Sequence, residues 1–153
     1  MKKDLKLLII SVAIPLVLEF LTGIITRPFI DYEQLIQPPL APPSWLFPVM
    51  WTILYILMGI SFYLTLKNDH NLDVDTYKTY FVQLIVNCFW TIFFFVFKWR
   101  LFSIIWLILL IYLIIKMIIK FYRINKTGGL LQLPYLAWCL FALYLNIGIY
   151  ILN

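Results

Sequence analysis

The sequence predicts an all-α membrane protein, a five-transmembrane-helix bundle with no soluble domain, and three observations predict it. Of 153 residues, 64% are hydrophobic and only 12% are charged, whereas soluble domains run near 45–50% apolar and about 25% charged. The mean hydropathy of +0.96 leaves too little polar surface to face water all round. The apolar residues are gathered into five runs of about 20 residues, the length a hydrocarbon core of about 30 Å demands.

The first helix is expected over about 5–26. Lys2 and Lys3 precede it and Lys6 lies at its start, as in a signal peptide. The run is longer than a typical signal core and lacks a clear small-x-small cleavage site, so it reads as an uncleaved helix. Pro15 is expected to bend it, which neighbouring helices tolerate in a membrane. Residues 27–43 carry Pro28, Pro38, Pro39, Pro42 and Pro43. Proline fixes φ and removes a backbone donor, so this segment is predicted to be a stiff, extended loop. Loops of this length in a compact protein are usually functional. The second helix is expected over about 44–66, with Ser44 as its N-cap. A polar loop from Lys67 to Thr76 follows, then the third helix over about 77–97. Only Lys98 to Arg100 separates it from the fourth, about 102–122. A turn with Lys126, Gly128 and Gly129 leads to the fifth, about 130–152, completing one domain.

The charge is +5, from 12 Lys+Arg against 7 Asp+Glu. A basic balance suggests nucleic acid in some proteins, but here the basic residues sit at the ends of apolar runs, and the expected partner is the lipid bilayer. Five spans put the termini on opposite faces. Lys2, Lys3, Lys6, Lys67, Lys78, Lys120, Arg123 and Lys126 fall on one face, and Arg27, Lys98 and Arg100 on the other. The positive-inside bias therefore predicts a cell-membrane protein with a cytoplasmic N-terminus and the proline loop outside. Cys88 and Cys139 lie in separate apolar runs and read as buried small hydrophobes. They form neither a disulfide framework nor a zinc spacing, and the single histidine, His70, lies in a polar loop. No metal site is expected. Nor is there a nucleophile–base pair, a carboxylate pair or a phosphate loop, which argues against hydrolysis.

Polar and aromatic side chains inside the spans carry the functional signal. Gln83, Asn87, Trp90 and Phe94 are spaced to share one helix face. Pro48, Trp51, Tyr55 and Gly59 make a second stripe, and Trp138, Ala142, Leu145 and Asn146 a third. The fourth run is nearly all Ile, Leu and aromatics, and reads as a lipid-facing or packing helix. At about 1.5 Å per residue, Trp51, Trp90 and Leu145 lie roughly 10 Å below the proline-loop face, Asn87 and Ala142 near 15 Å, and Trp138 near 21 Å. Indoles and an amide thus share a layer about 10 Å thick, which suits a flat aromatic ligand. A second reading stays open: the amides merely bond neighbouring helices, and tryptophans such as Trp45 and Trp99 merely anchor helix ends. Glu19, the one acid well inside a helix, reads either as an ion-pathway residue or as an interhelical hydrogen-bonding group.

At these residues the sequence resembles the TspO/MBR family, the tryptophan-rich sensory proteins related to the mitochondrial translocator protein or peripheral benzodiazepine receptor. The matching stretches are Pro38 to Pro48 (PPLAPPSWLFP) with Trp51, and Leu54 to Gly59 (LYILMG). Gln83 to Asn87 (QLIVN) follows with Trp90 and Phe93 to Phe95, then Pro134 to Trp138 (PYLAW) with Phe141, Ala142, Leu145 and Asn146. The resemblance spans nearly the whole chain. It implies a five-helix bundle with a pocket opening toward the first loop. It also implies binding of protoporphyrin IX and of isoquinoline or benzodiazepine-type drugs, and a possible homodimer. By position it implies that Trp51, Asn87, Trp90, Trp138, Ala142 and Leu145 line the pocket, beside Tyr55 and Asn146 of the same stripes, with Tyr32 and Pro42 from the loop. Bacterial members are associated with light-dependent degradation of protoporphyrin IX, for which Trp51 and Trp138 match the implicated tryptophans. The sterol-recognition pattern of animal members is missing, because Tyr150 is followed only by Ile151, Leu152 and Asn153.

Two functions follow as expectations: a porphyrin-binding receptor, sensor or carrier, and an enzyme that degrades porphyrin in light. A transporter without catalysis is the alternative. No histidine lies in the membrane to ligate iron, so a metal-free macrocycle held by stacking is expected, with no cofactor. Any chemistry would draw on the ligand's own photochemistry.

Overall fold

The computed structural model describes all residues, 1–153, and is helical throughout, with no strand. Helix α1 spans Lys2–Thr26, α2 Leu46–Asn68, α3 Val74–Thr91, α4 Arg100–Ile124, α5 Lys126–Leu130 and α6 Leu133–Leu152. Five stretches are long and apolar enough to cross a membrane, the last combining α5 and α6. The helices close a ring in which α1 touches α2 and α3, α4 touches α3 and α6, and α6 returns to α2.

Helix α1 is the least enclosed and buries only Ser11, Pro15 and Thr26. The helix runs through Pro15 without a break. Proline lacks the N–H that would bond Ser11, four residues back. That freed carbonyl faces Gly59 of α2. A Cβ on Gly59 would stand 2.5 Å from the Val12 Cα and 2.7 Å from the Ser11 oxygen. The two backbones therefore meet where one residue has no side chain, as small-residue packing in membranes requires. Helix α4 is a packing helix that buries Ser103, Leu107, Leu110, Ile111, Ile114, Met117 and Phe121.

Several boundaries differ from expectation for identifiable reasons. Helix α2 begins at Leu46. Ser44 does not cap it, because its hydroxyl donates to the Glu33 carboxylate at 2.5 Å. The proline loop is not uniformly extended, since Arg27–Phe29 and Tyr32–Gln34 each form a 3₁₀ turn. Helix α3 starts earlier than expected, at Val74, because Asp73 is its N-cap and accepts from the Thr76 N–H. That hydrogen-bonding to Thr76 holds the Asp73 carboxyl below its ordinary range. The far end of the third span widens into a π turn, Ile92–Val96. The fifth span is broken at Leu131 and Gln132, ahead of Pro134 near the start of α6. Proline favours the first turn of a helix and supplies no N–H to a preceding one.

Candidate ligand pocket

A cavity of about 230 Å³ lies under the proline loop, walled by α1, α2, the end of the third span and α6. Helix α4 contributes no wall residue. Glu19 and Gly23 face it from α1, and Ile30 and Tyr32 from the loop. Phe47, Pro48 and Trp51 come from α2, Trp90, Phe94 and Phe95 from the third span, and Ala142, Leu145, Asn146 and Ile149 from α6.

Trp51 is the centre of the aromatic wall. Its ring lies 5.8 Å from Tyr55, 6.2 Å from Trp90 and 6.2 Å from Tyr135. These separations fall within the range at which aromatic pairs attract. Trp90 in turn stacks on Phe94 at 5.8 Å. A polar strut fixes the Trp90 indole: its N–H donates to Asn146 Oδ1 at 3.1 Å. The Asn146 amide donates to the Arg100 carbonyl at 3.3 Å, and the Ser103 hydroxyl reaches that same carbonyl at 2.7 Å. Asn146 thus ties the third span, α4 and α6 together behind the cavity. A buried polar group without such partners would cost of order 1–3 kcal/mol.

The loop is strapped over this wall. The Tyr32 phenol donates to the Pro42 carbonyl at 3.0 Å, and Tyr144 of α6 donates to Pro39 at 2.6 Å. Burial raises the Tyr32 phenol above its ordinary range, which keeps it a donor. Asn153 exchanges two hydrogen bonds with the Ile36 backbone, at 3.0 and 2.9 Å. Asp31 accepts from Arg100 through both carboxylate oxygens, at 3.0 and 2.8 Å, with Lys98 at 3.4 Å. The Arg100 guanidinium also lies 4.2 Å over the Phe94 ring, a cation–π contact with a cavity-wall residue. A cavity of this size sits below the roughly 300–1,000 Å³ usual for small-molecule pockets. A macrocycle therefore needs more room than this cavity offers.

Of the residues expected to contact a ligand, Tyr32, Trp51, Trp90, Ala142, Leu145 and Asn146 share the cavity wall. Four do not. Trp138 stands behind Phe47, with ring centroids 6.0 Å apart, and its indole nitrogen is buried without a partner. Phe47 also meets Tyr32 edge-on at 4.9 Å, so it couples the loop to Trp138. Asn87 donates to the Tyr55 phenol at 2.7 Å, and this buried pair lies beneath Trp51. Pro42 meets the site through its carbonyl, as the acceptor for Tyr32. The aromatic stripes missed Glu19, Gly23, Phe47 and Phe95. Glu19 and Gly23 are one helical turn apart and so share a face. A lone acid in an apolar run was the available signal.

The TspO/MBR family model matches residues 11–152. The chain is 40% identical over 122 residues to the tryptophan-rich protein TspO of Archaeoglobus fulgidus, covering 80% of this chain and 79% of that protein. It is 30% identical over 126 residues to the tryptophan-rich sensory protein of Cereibacter sphaeroides, covering 82% and 78%. It is 29% identical over 144 residues to the translocator protein homolog of Schizosaccharomyces pombe, covering 92% and 88%. With a family match over nearly its whole length and five apolar spans, this chain belongs to the TspO/MBR family of multi-pass membrane proteins.

Proposed function

We propose that the chain is a TspO-type receptor or carrier for flat hydrophobic ligands, with protoporphyrin IX the leading candidate. It sits in the cell membrane with its N-terminus cytoplasmic and its proline loop outside, as the lysine asymmetry supports. The observation that carries the reading is the aromatic wall of Trp51, Trp90 and Phe94 under a loop held by specific hydrogen bonds. Such a wall offers area and π-faces to a planar ligand, about 0.5–1.5 kcal/mol per ring beyond burial. Isoquinoline and benzodiazepine-type drugs suit the same wall.

Light-dependent porphyrin degradation is the second reading. Trp51 supports it, because an oxidisable indole faces the cavity with the Trp90 indole 6.2 Å away in the same wall. The test measures protoporphyrin IX binding by fluorescence quenching beside product formation under fixed illumination, for wild type, Trp51→Phe and Trp51→Ala. Binding that saturates and falls with Trp51→Ala supports the receptor. A Trp51→Phe protein that binds well yet forms no product supports the enzyme. Product that only tracks occupancy removes the redox role of Trp51. No saturable binding by the wild type would sink both.

A further inference from the structure

Glu19 is the only ionisable side chain other than the Tyr32 phenol in the cavity wall. It comes from the loop-side third of α1 and is half-buried, and a carboxyl within a membrane span is costly unless it has a use or a partner. No partner is supplied by the protein. The four ion pairs all lie elsewhere, joining Asp31 to Lys98 and Arg100, and Asp75 to Lys116 and Lys120. Among the other polar side chains of the wall, Asn146 is engaged with Trp90 and the Arg100 carbonyl, Ser44 with Glu33, and Tyr32 with Pro42, so none of the three turns to Glu19.

One turn along the same face lies Gly23, which also borders the cavity. A Cβ placed there would meet nothing within 4 Å. Unlike Gly59, this glycine admits no neighbouring helix. It is exposed and leaves that face of α1 open beside the carboxyl. The aromatic face of Trp51 belongs to the same cavity. An open helix face, a carboxyl without a protein partner and an aromatic wall thus meet in one cavity.

We propose that Glu19 is a ligand-recognition group that selects planar aromatic molecules bearing a basic, protonated nitrogen. The ring lies against the Trp51 side of the cavity while the cationic N–H donates to the Glu19 carboxylate. Charge-assisted hydrogen bonds of this kind are about twice as strong as neutral ones, and the aromatic faces attract the same cation. This rests on the cavity being a ligand pocket, but not on porphyrin being the ligand.

The experiment compares two probes of nearly equal shape, 9-aminoacridine, which is cationic at neutral pH, and acridine, which is largely neutral. Binding is measured by fluorescence on the full chain in nanodiscs of zwitterionic lipid, so that lipid charge does not draw in the cation. Wild type is expected to bind 9-aminoacridine about tenfold tighter than acridine. Glu19→Gln is expected to reduce that preference below about threefold while leaving acridine affinity within about twofold. Retained acridine binding also reports that the variant is folded. Glu19→Asp, which keeps the charge one methylene further back, should hold an intermediate preference. Equal affinities in wild type, or a preference that survives Glu19→Gln, overturn the proposal. If protoporphyrin IX binds and neither acridine does, Glu19 recognition fails and the pocket stands. If Trp51→Ala leaves every ligand unaffected, the pocket itself has been misplaced.

Discussion

The two ends of the bundle are built from the same ingredients and put to opposite uses. At the lysine-rich end, Phe62 and Tyr80 stack at 4.1 Å with their planes 2° apart, and Phe121 lies 6.3 Å from Phe62. Gly128 fits against α2, where the Ser61 hydroxyl donates to its carbonyl at 2.5 Å. Rings, hydroxyls and glycines there close the interior. At the loop end, rings of the same kind stand around a cavity, and Gly23 meets open space. Both non-glycine residues with positive φ, Leu40 at 67° and Lys98 at 57°, are also at this end. So is the π turn, a widening often found at functional sites. Packing, strain and polar inventory therefore divide along the membrane normal. One end holds the fold, and the other keeps a space open.

If that division is correct, the largest stability loss should come from the closed end. Gly59 lies about 20 Å below the start of α2 by helix rise. A side chain there meets backbone atoms of Val12 and Ser11 at 2.5 and 2.7 Å, which cannot rotate away. Gly59→Val is expected to destabilise the bundle by about 3 kcal/mol, the upper range for overpacking. Thermal unfolding in detergent measures it, with Gly23→Ala as the contrast. A Gly23→Ala loss as large as that of Gly59→Val would break the comparison.

The loop straps should come next. Asp31 and Arg100 are each mostly enclosed, with side chains 14% and 13% exposed. Asp31→Asn leaves the guanidinium without its main counterion, a cost between that of an exposed and a buried pair, about 2 kcal/mol. The loss should be local: faster amide exchange in residues 27–45 with little change in α2 near Gly59. Uniformly faster exchange across both ends would mean that the loop is part of the closed core.

A third outcome separates two tryptophans within the open end. Trp51→Ala is expected to cost about tenfold or more in protoporphyrin IX affinity, because its ring faces the cavity. Trp138→Phe should stay within about threefold, because Phe47 stands between it and the space. Equal losses, measured by fluorescence quenching, would indicate that Phe47 swings aside when the ligand enters.

Much of this was legible in the sequence, and the remainder failed for physical reasons. Hydropathy and length located all five spans, because lipid imposes a minimum apolar length. Helical spacing brought Trp51, Trp90, Ala142, Leu145 and Asn146 to one interior. Spacing says which residues share a face of one helix, but not which faces two helices turn toward each other. That is why the Asn87–Tyr55 pairing and the position of Trp138 behind Phe47 were not foreseen. Helix α1 gave no directional signal, since it is apolar on every side, and Glu19 therefore had no visible orientation. The N-terminal role given to Ser44 failed because Glu33, eleven positions earlier in the loop, competes for its hydroxyl.

The smallest effect tests whether strain at the open end is stored in the loop. Pro38, Pro39, Leu40 and Ala41 form a turn closed by the Ala41 N–H on the Pro38 carbonyl at 3.2 Å. Leu40 occupies the third position with φ 67°, where a type II turn favours glycine. Its side chain is 86% exposed, so no packing compensates for that conformation. A left-handed L-residue costs roughly 1–2 kcal/mol. Glycine removes most of that cost but adds freedom to the unfolded chain, an opposing term of about 0.5–1 kcal/mol. Leu40→Gly is therefore expected to stabilise the loop by about 0.5 kcal/mol, the difference of those terms. Slower amide exchange at Ala41, whose N–H closes the turn, measures it. If ligand enters by lifting the loop, entry should slow in the same variant while the thermal midpoint of the bundle stays nearly constant. A lower midpoint would show that Leu40 has a stabilising contact outside the turn, and that strain is not what distinguishes the open end there.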